Sequence, residues 1–126
     1  MSVFNALIRT HHITSRKKVS KLRHAARNTN VFALLRSGGA PGIMYVEGDE
    51  TGVKNWLEAV HNLRYKDYVL VVKPAPLVRE NDHKPSKSER GMLYELETVK
   101  SFAEVMKSRG LFAWWRKGMG YEQNTL

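Results

Sequence analysis

Two adjacent histidines near the start of the chain come closest to a catalytic motif. Residues 12–14 have the His-x-Thr form with which two-histidine phosphoesterases hydrolyse RNA phosphodiesters, using one imidazole as base and a second as acid. These enzymes need the motif twice. His24, His61 and His83 are followed two positions later by alanine, leucine and proline, so the second copy is missing. We therefore predict no enzymatic activity and no catalytic residue.

Metal and cofactor chemistry is also not expected. His11 and His12 would point to opposite faces of a strand, and no carboxylate lies near them in the sequence. The chain has no cysteine, which excludes disulfides and thiolate zinc sites. Gly38, Gly39 and Gly42 lack the strand-to-helix context and the Lys-Ser/Thr ending of a phosphate-binding loop, and they fit a hairpin turn that requires positive φ. We predict no metal, no cofactor and no small-molecule substrate.

A strongly asymmetric charge distribution is the clearest functional signal. The chain of 126 residues has a formal net charge of +9. No Asp or Glu precedes Glu47, whereas eight Lys and Arg residues do. A cationic half of this kind favours a polyanionic partner. We expect this partner to be RNA, bound through its phosphates with salt-sensitive affinity.

The periodicity predicts the elements that would position these side chains. Residues 4–13 are typical of a strand, and Thr14 or Ser15 can cap a helix that ends near Thr29. Residues 31–36 and 43–47 predict a hairpin. Asp49 is a plausible cap for a second helix with an apolar face that includes Trp56. The run 68–73 predicts a fourth strand, buried on both faces, inside the sheet or under a third helix.

This order of elements, strand-helix-strand-strand-helix-strand, is the ferredoxin-like βαββαβ arrangement, so the fold class is α+β with an additional C-terminal helix. The length fits a single domain, 1–126. Its core covers about residues 4–73, an exposed loop covers 74–91, and a helical extension covers 92–121. The extension ends in an apolar, aromatic segment from Leu111 to Trp115, in which one tryptophan is expected to pack and the other to be partly exposed.

Three segments carry a resemblance to a known family. The residues His11-His12-Ile13, the run GAPGIMYVEG at 39–48 and the ending MKSRGLFAWW at 106–115 resemble the C-terminal domain family of the pre-mRNA splicing factor Prp-three, a domain that also follows RWD domains in other proteins. The resemblance extends from about Ala6 to Gly120. It implies a ferredoxin-like core with extra C-terminal helical structure. It also implies binding, in mRNA splicing, of small nuclear RNA that is structured or has a junction of paired and single strands.

The predicted RNA-binding surface combines the polar side of the first helix with the end of the first strand and the neighbouring strand. Its residues are Arg9, His11, His12, Arg16, Lys17, Lys21, Arg23, Arg27 and Arg36. A rival hypothesis is a protein-protein interaction module that docks an acidic or apolar partner on the exposed sheet face and the segment Leu111–Trp115. Because no apolar run approaches membrane-spanning length, we expect a soluble protein in the nucleus or the cytoplasm. The sequence assigns no task to Glu47.

Overall fold

The computed structural model describes residues 2–121 and contains five strands and four α-helices in this range. The strands are β1 (Phe4–Thr10), β2 (Phe32–Arg36), β3 (Gly42–Gly48), β4 (Val69–Pro76) and β5 (Leu93–Leu96). The helices are α1 (Arg16–Thr29), α2 (Glu50–Asn62), α3 (Val99–Ser108) and α4 (Phe112–Met119), and a short 3-10 turn covers Lys87–Glu89.

The strands form one sheet in the order β4-β1-β3-β2-β5. The pairs β4-β1, β1-β3 and β3-β2 are antiparallel. The parallel strands β1 and β2 are therefore separated by β3, which is the split βαβ arrangement of a ferredoxin-like fold. The predicted fold class is confirmed. The fifth strand is an addition to this core, and it pairs with β2 in parallel.

Local signals set the ends of the first two helices. The Ser15 hydroxyl accepts a hydrogen bond of 3.2 Å from the backbone N–H of Lys18. The Asp49 carboxylate accepts one of 2.6 Å from the N–H of Gly52. Each bond satisfies a backbone donor that has no partner within its helix. Of the two caps predicted for α1, Thr14 or Ser15, the structure has Ser15. The cap predicted at Asp49 is confirmed.

One face of the sheet is covered by α1 and α2. Alternate strand residues, such as Ile8, Leu35 and Val46, are fully buried there against Leu22 of α1 and Trp56 of α2. The Trp56 ring also donates a hydrogen bond of 3.1 Å from Nε1 to the carbonyl oxygen of Leu22. The expectation that Trp56 belongs to the core is confirmed.

The opposite face of the sheet is covered as well. Here Leu7, Ile43 and Tyr45 pack against α3 and α4, with Phe102 and Trp115 buried from the helical side. Trp114 is only partly buried, which agrees with the expected difference between the two tryptophans. Within residues 2–121 both faces of the sheet are therefore covered, and the exposed sheet face required by the rival docking hypothesis is not found there. The physical reason is that β2 and β3 are apolar on both sides and need a layer on each.

The part of the chain after α2 differs from its prediction in three ways. Residues 93–96, placed at the start of the predicted helical extension, form β5. The rest of the extension contains two helices, α3 and α4, where one additional helix was predicted. The fourth strand is at an edge of the sheet, and its residues are partly or fully exposed. The loop after it is not uniformly exposed, because Arg79 and Glu89 are partly buried.

The glycines of the hairpin between β2 and β3 are required for a different reason than predicted. Neither Gly38 nor Gly42 has positive φ. A Cβ at Gly38 would collide with the carbonyl oxygen of Glu97, and one at Gly42 would collide with Thr10 and Ile13. Close approach of neighbouring segments, and not backbone strain, therefore excludes a side chain at these two positions.

Candidate functional site

The polar side of α1 faces the added strand β5. Both Arg16 guanidinium nitrogens Nη1 and Nη2 donate to the Glu95 carboxylate, at 2.8 and 2.6 Å. Arg23 donates to the same carboxylate at 3.2 Å. The Ser37 hydroxyl donates to it at 2.9 Å. Two arginines that the sequence assigned to a partner are thus bound to a carboxylate of this chain.

These contacts lower the pKa of the Glu95 carboxyl. The hydrogen bonds from Arg16 lower the pKa of the Glu95 carboxyl most strongly, and together with those from Ser37 and Arg23 they outweigh partial burial and bring it to about 2. Each bond stabilises the ionised carboxylate relative to its protonated form.

A pH dependence of stability follows from this lowered pKa. Below the ordinary value of 4.5 the unfolded chain takes up a proton at Glu95 before the folded chain does. The contribution of the ionised Glu95 carboxylate to the free energy of unfolding is therefore complete above that pH, and it is lost as the pH falls toward 2. Because Arg16 is largely exposed, we expect Glu95→Gln to cost only about 1 kcal/mol at pH 7.

Urea unfolding of the unchanged protein and of the Glu95→Gln variant, measured between pH 2 and pH 6, tests this prediction. The difference in free energy of unfolding between them should shrink as the pH falls. Glu97→Gln is the matched control, because Glu97 is an exposed neighbour whose carboxylate forms no ion pair within residues 2–121. A Glu95→Gln difference that stays constant with pH would contradict the assignment.

The other basic residues of the predicted surface near α1 do not bind Glu95. Arg36 donates from Nε to the Glu97 carbonyl oxygen at 2.9 Å and from Nη1 to that of Pro41 at 3.1 Å. It therefore ties the β2–β3 hairpin to the end of β5. Lys17, Lys21 and Arg27 are exposed and form no ion pair within residues 2–121.

The end of β1 forms a separate group. Nδ1 of His11 lies 3.6 Å from the Asp67 carboxylate, and the His11 ring contacts the His12 ring edge-on at 4.0 Å. Arg9 is exposed and lines a shallow depression with His11 and Asp67. The histidine pair shares a second depression with Lys18, whose Nζ lies 4.8 Å from the centre of the Tyr65 ring. Carboxylates therefore enter the predicted cationic surface at this end too.

A cleft between α1 and β5, which we name the α1–β5 cleft, contains Arg27 together with Arg23 and His24. Its walls are Ser20, Arg23, His24 and Arg27 of α1 and residues 91–93 at the start of β5. Met92 is 43% exposed at its rim. The cleft therefore combines positive charge with an exposed apolar side chain.

The most deeply buried polar cluster among residues 2–121 centres on Glu47 and was not predicted from the sequence. The Glu47 carboxylate is inaccessible to solvent and lies 2.8 Å from Nη2 of Arg79 and 3.0 Å from Nη2 of Arg109. It also accepts a hydrogen bond of 2.7 Å from the Tyr45 hydroxyl. Arg109 pairs in addition with Glu89 at 2.7 Å.

This cluster joins segments that are far apart in the sequence. Burial would raise the pKa of the Glu47 carboxyl, but Arg109, the Tyr45 hydroxyl and Arg79 together lower it below its ordinary value. Glu47 is therefore ionised and holds the segment after β4 and the end of α3 against the sheet. The only sequence signal for this role is a lone glutamate in the otherwise apolar strand β3.

Among residues 2–121, no group of three or more His, Asp or Glu side chains is arranged to hold a metal ion. The helices in the same range are too short or too polar to cross a bilayer. The absence of a cofactor, of a small-molecule substrate and of enzymatic activity stays a prediction, as does a nuclear or cytoplasmic location.

Comparison with known proteins identifies relatives in fold only. No protein-family model and no curated protein matches the chain. The Klebsiella pneumoniae BlrP1 structure with manganese and cy-diGMP at pH 6 matches 93% of this chain with a TM-score of 0.59 and 11% identity, and the match covers 33% of that chain. The BlrP1 BLUF structure matches 89% of this chain with a TM-score of 0.54 and 12% identity, and the match covers 78% of the BLUF chain.

These findings correct the functional prediction. RNA binding, RNA as the partner and a role in mRNA splicing are wrong, since the solved structures of similar fold are those of BlrP1 and its BLUF domain and not of a splicing factor. The contiguous cationic surface is interrupted as well, because Glu95 binds Arg16 and Arg23. The resemblance to the Prp-three family stays a prediction. At 11% and 12% identity, this chain shares a ferredoxin-like fold with the BLUF domain of BlrP1.

Proposed function

We propose that this domain is a protein-protein interaction module that binds an acidic segment of a partner protein in the α1–β5 cleft. The observation that carries the proposal is the position of Arg27, His24 and Arg23 on one wall of the cleft, opposite the exposed Met92. Carboxylates of a partner would meet the basic wall, and an apolar side chain would cover Met92. Charge complementarity of this kind gives specificity and a fast association rate.

Arg27 is the residue on which this proposal depends most. Arg23 already shares the Glu95 carboxylate with Arg16, so part of its charge is compensated. Arg27 is exposed, and residues 2–121 place no carboxylate within ion-pair distance of it. Its guanidinium can therefore form a bidentate pair with an incoming carboxylate without first breaking an internal one.

The test is fluorescence anisotropy with a labelled peptide of six Glu-Val repeats. We expect binding with a dissociation constant on the order of 10 μM that weakens with salt, as for a small transient interface. Arg27→Glu should weaken binding about tenfold. A peptide of six Lys-Val repeats should not bind.

Lys21→Glu is the matched control, because it makes the same charge change on the same helix at about 120° around the axis from Arg27. Its affinity for the peptide should stay within about twofold of the unchanged protein. Equal losses in both variants would mean that only net charge is recognised. That result, or a failure of the Glu-Val peptide to bind, would overturn the proposed function. Circular dichroism would establish that both variants are folded.

A further inference from the structure

The two edges of the sheet differ in how well they resist pairing with another chain. The sheet ends at β4 on one side and at β5 on the other. The edge strand β4 contains Lys73, Pro74 and Pro76, and lysine and proline are residues that block strand addition. β5 has the sequence Leu-Tyr-Glu-Leu and contains neither. Among the described residues, β5 is the edge without these protections.

The hydrogen-bond pattern shows which groups of β5 are directed outward. The N–H of Ala33 bonds to the carbonyl of Met92, and the N–H of Ser37 bonds to that of Leu96. Because successive residues of a strand direct their backbone groups to opposite sides, the N–H and C=O of Leu93 and Glu95 are directed away from β2. These groups offer a short ladder to an added strand.

The side chains of β5 indicate what that strand would carry. Leu93 and Glu95 lie on the α1 side, where Leu93 joins the core and Glu95 binds Arg16. Tyr94 lies on the other side, packed against Phe32 at 5.8 Å between ring centres and 44% exposed. A strand added about 4.8 Å beyond β5 would direct alternate residues toward the α1–β5 cleft and toward Tyr94.

We propose that the partner segment adds to β5 as an extra strand, with acidic side chains directed toward Arg27 and His24 and apolar side chains packed against Tyr94. This inference rests on the proposed function and specifies its binding mode. Backbone hydrogen bonds to Leu93 and Glu95 supply affinity, and the alternation of acidic and apolar residues supplies specificity. The shortness of β5, four residues, limits the ladder and keeps the interaction transient.

The experiment compares three versions of the Glu-Val peptide with the full chain. One is unmodified, one is N-methylated at every Glu and one is N-methylated at every Val. All three carry the same charge, and each methylated peptide lacks the N–H donors of one edge only. Since a single edge of the added strand pairs with β5, we expect one methylated peptide to lose at least tenfold in affinity and the other to bind within about threefold of the unmodified peptide.

Amide hydrogen exchange by NMR provides a second readout. The N–H groups of Leu93 and Glu95 should exchange at least tenfold more slowly when the unmodified peptide is bound. Two results would overturn strand addition when they come without protection at Leu93 and Glu95. One is a similar affinity for all three peptides, and the other is an equal loss of affinity for both methylated peptides. Either result would still be consistent with an acidic partner in the cleft. Failure of the unmodified peptide to bind would instead overturn the proposed function itself.

Discussion

Replacement of Glu47 by glutamine should lower the free energy of unfolding by at least about 3 kcal/mol. The substitution keeps the size of the side chain but removes the negative charge that Arg79 and Arg109 share in the protein interior. Arg109 retains Glu89, whereas Arg79 has no other carboxylate among residues 2–121. The Arg79 side chain is only 11% exposed. Without its counterion, its guanidinium must either recover water or stay uncompensated, and both are costly.

Urea unfolding followed by circular dichroism at pH 7 would measure this loss. Glu50→Gln is the matched control, since Glu50 pairs with Lys54 at 2.7 Å on the exposed side of α2. This surface pair should contribute no more than about 0.5 kcal/mol. A Glu47→Gln protein as stable as the control would show that the buried cluster does not hold the C-terminal segments to the sheet.

Replacement of Trp56 by alanine should have an effect of similar size, about 3–5 kcal/mol. The ring is fully buried between α1, α2 and the sheet, and its Nε1–H is bonded to the Leu22 carbonyl. Truncation removes apolar area from the core and leaves a cavity, because two helices fixed to a rigid sheet cannot close the gap completely.

Trp114→Ala provides the comparison for Trp56. Trp114 is partly exposed and packs edge-on against Tyr45 at 5.6 Å between ring centres. Its removal should cost less than half as much, because solvent can fill the space that it leaves. Equilibrium denaturation of the two variants gives the comparison directly. A larger loss of unfolding free energy for Trp114→Ala than for Trp56→Ala would contradict the assignment of Trp56 to the core between α1, α2 and the sheet.

The ferredoxin-like core was predictable because its signals are local. The apolar spacing of α2 and the caps at Ser15 and Asp49 depend on residues within one or two helical turns, and the structure contains all of them. The extra layer of α3 and α4 also has a signal, since residues 32–35 and 43–46 are apolar at every position. Strands of this kind are buried on both faces, so an exposed sheet face was inconsistent with the sequence.

The partners of the charged side chains, in contrast, could not be predicted from the sequence. Residue types and periodicity were sufficient to predict α1, α2, the β2–β3 hairpin and the basic side chains along α1, because each depends on neighbours in the chain. Whether those side chains are accessible depended on Glu95, which lies 79 positions from Arg16 and reaches it only because β5 pairs with β2. Glu47 obtained its role in the same way, from arginines 32 and 62 positions away in the sequence. Coulomb interactions act through space, so folding decides which charges meet.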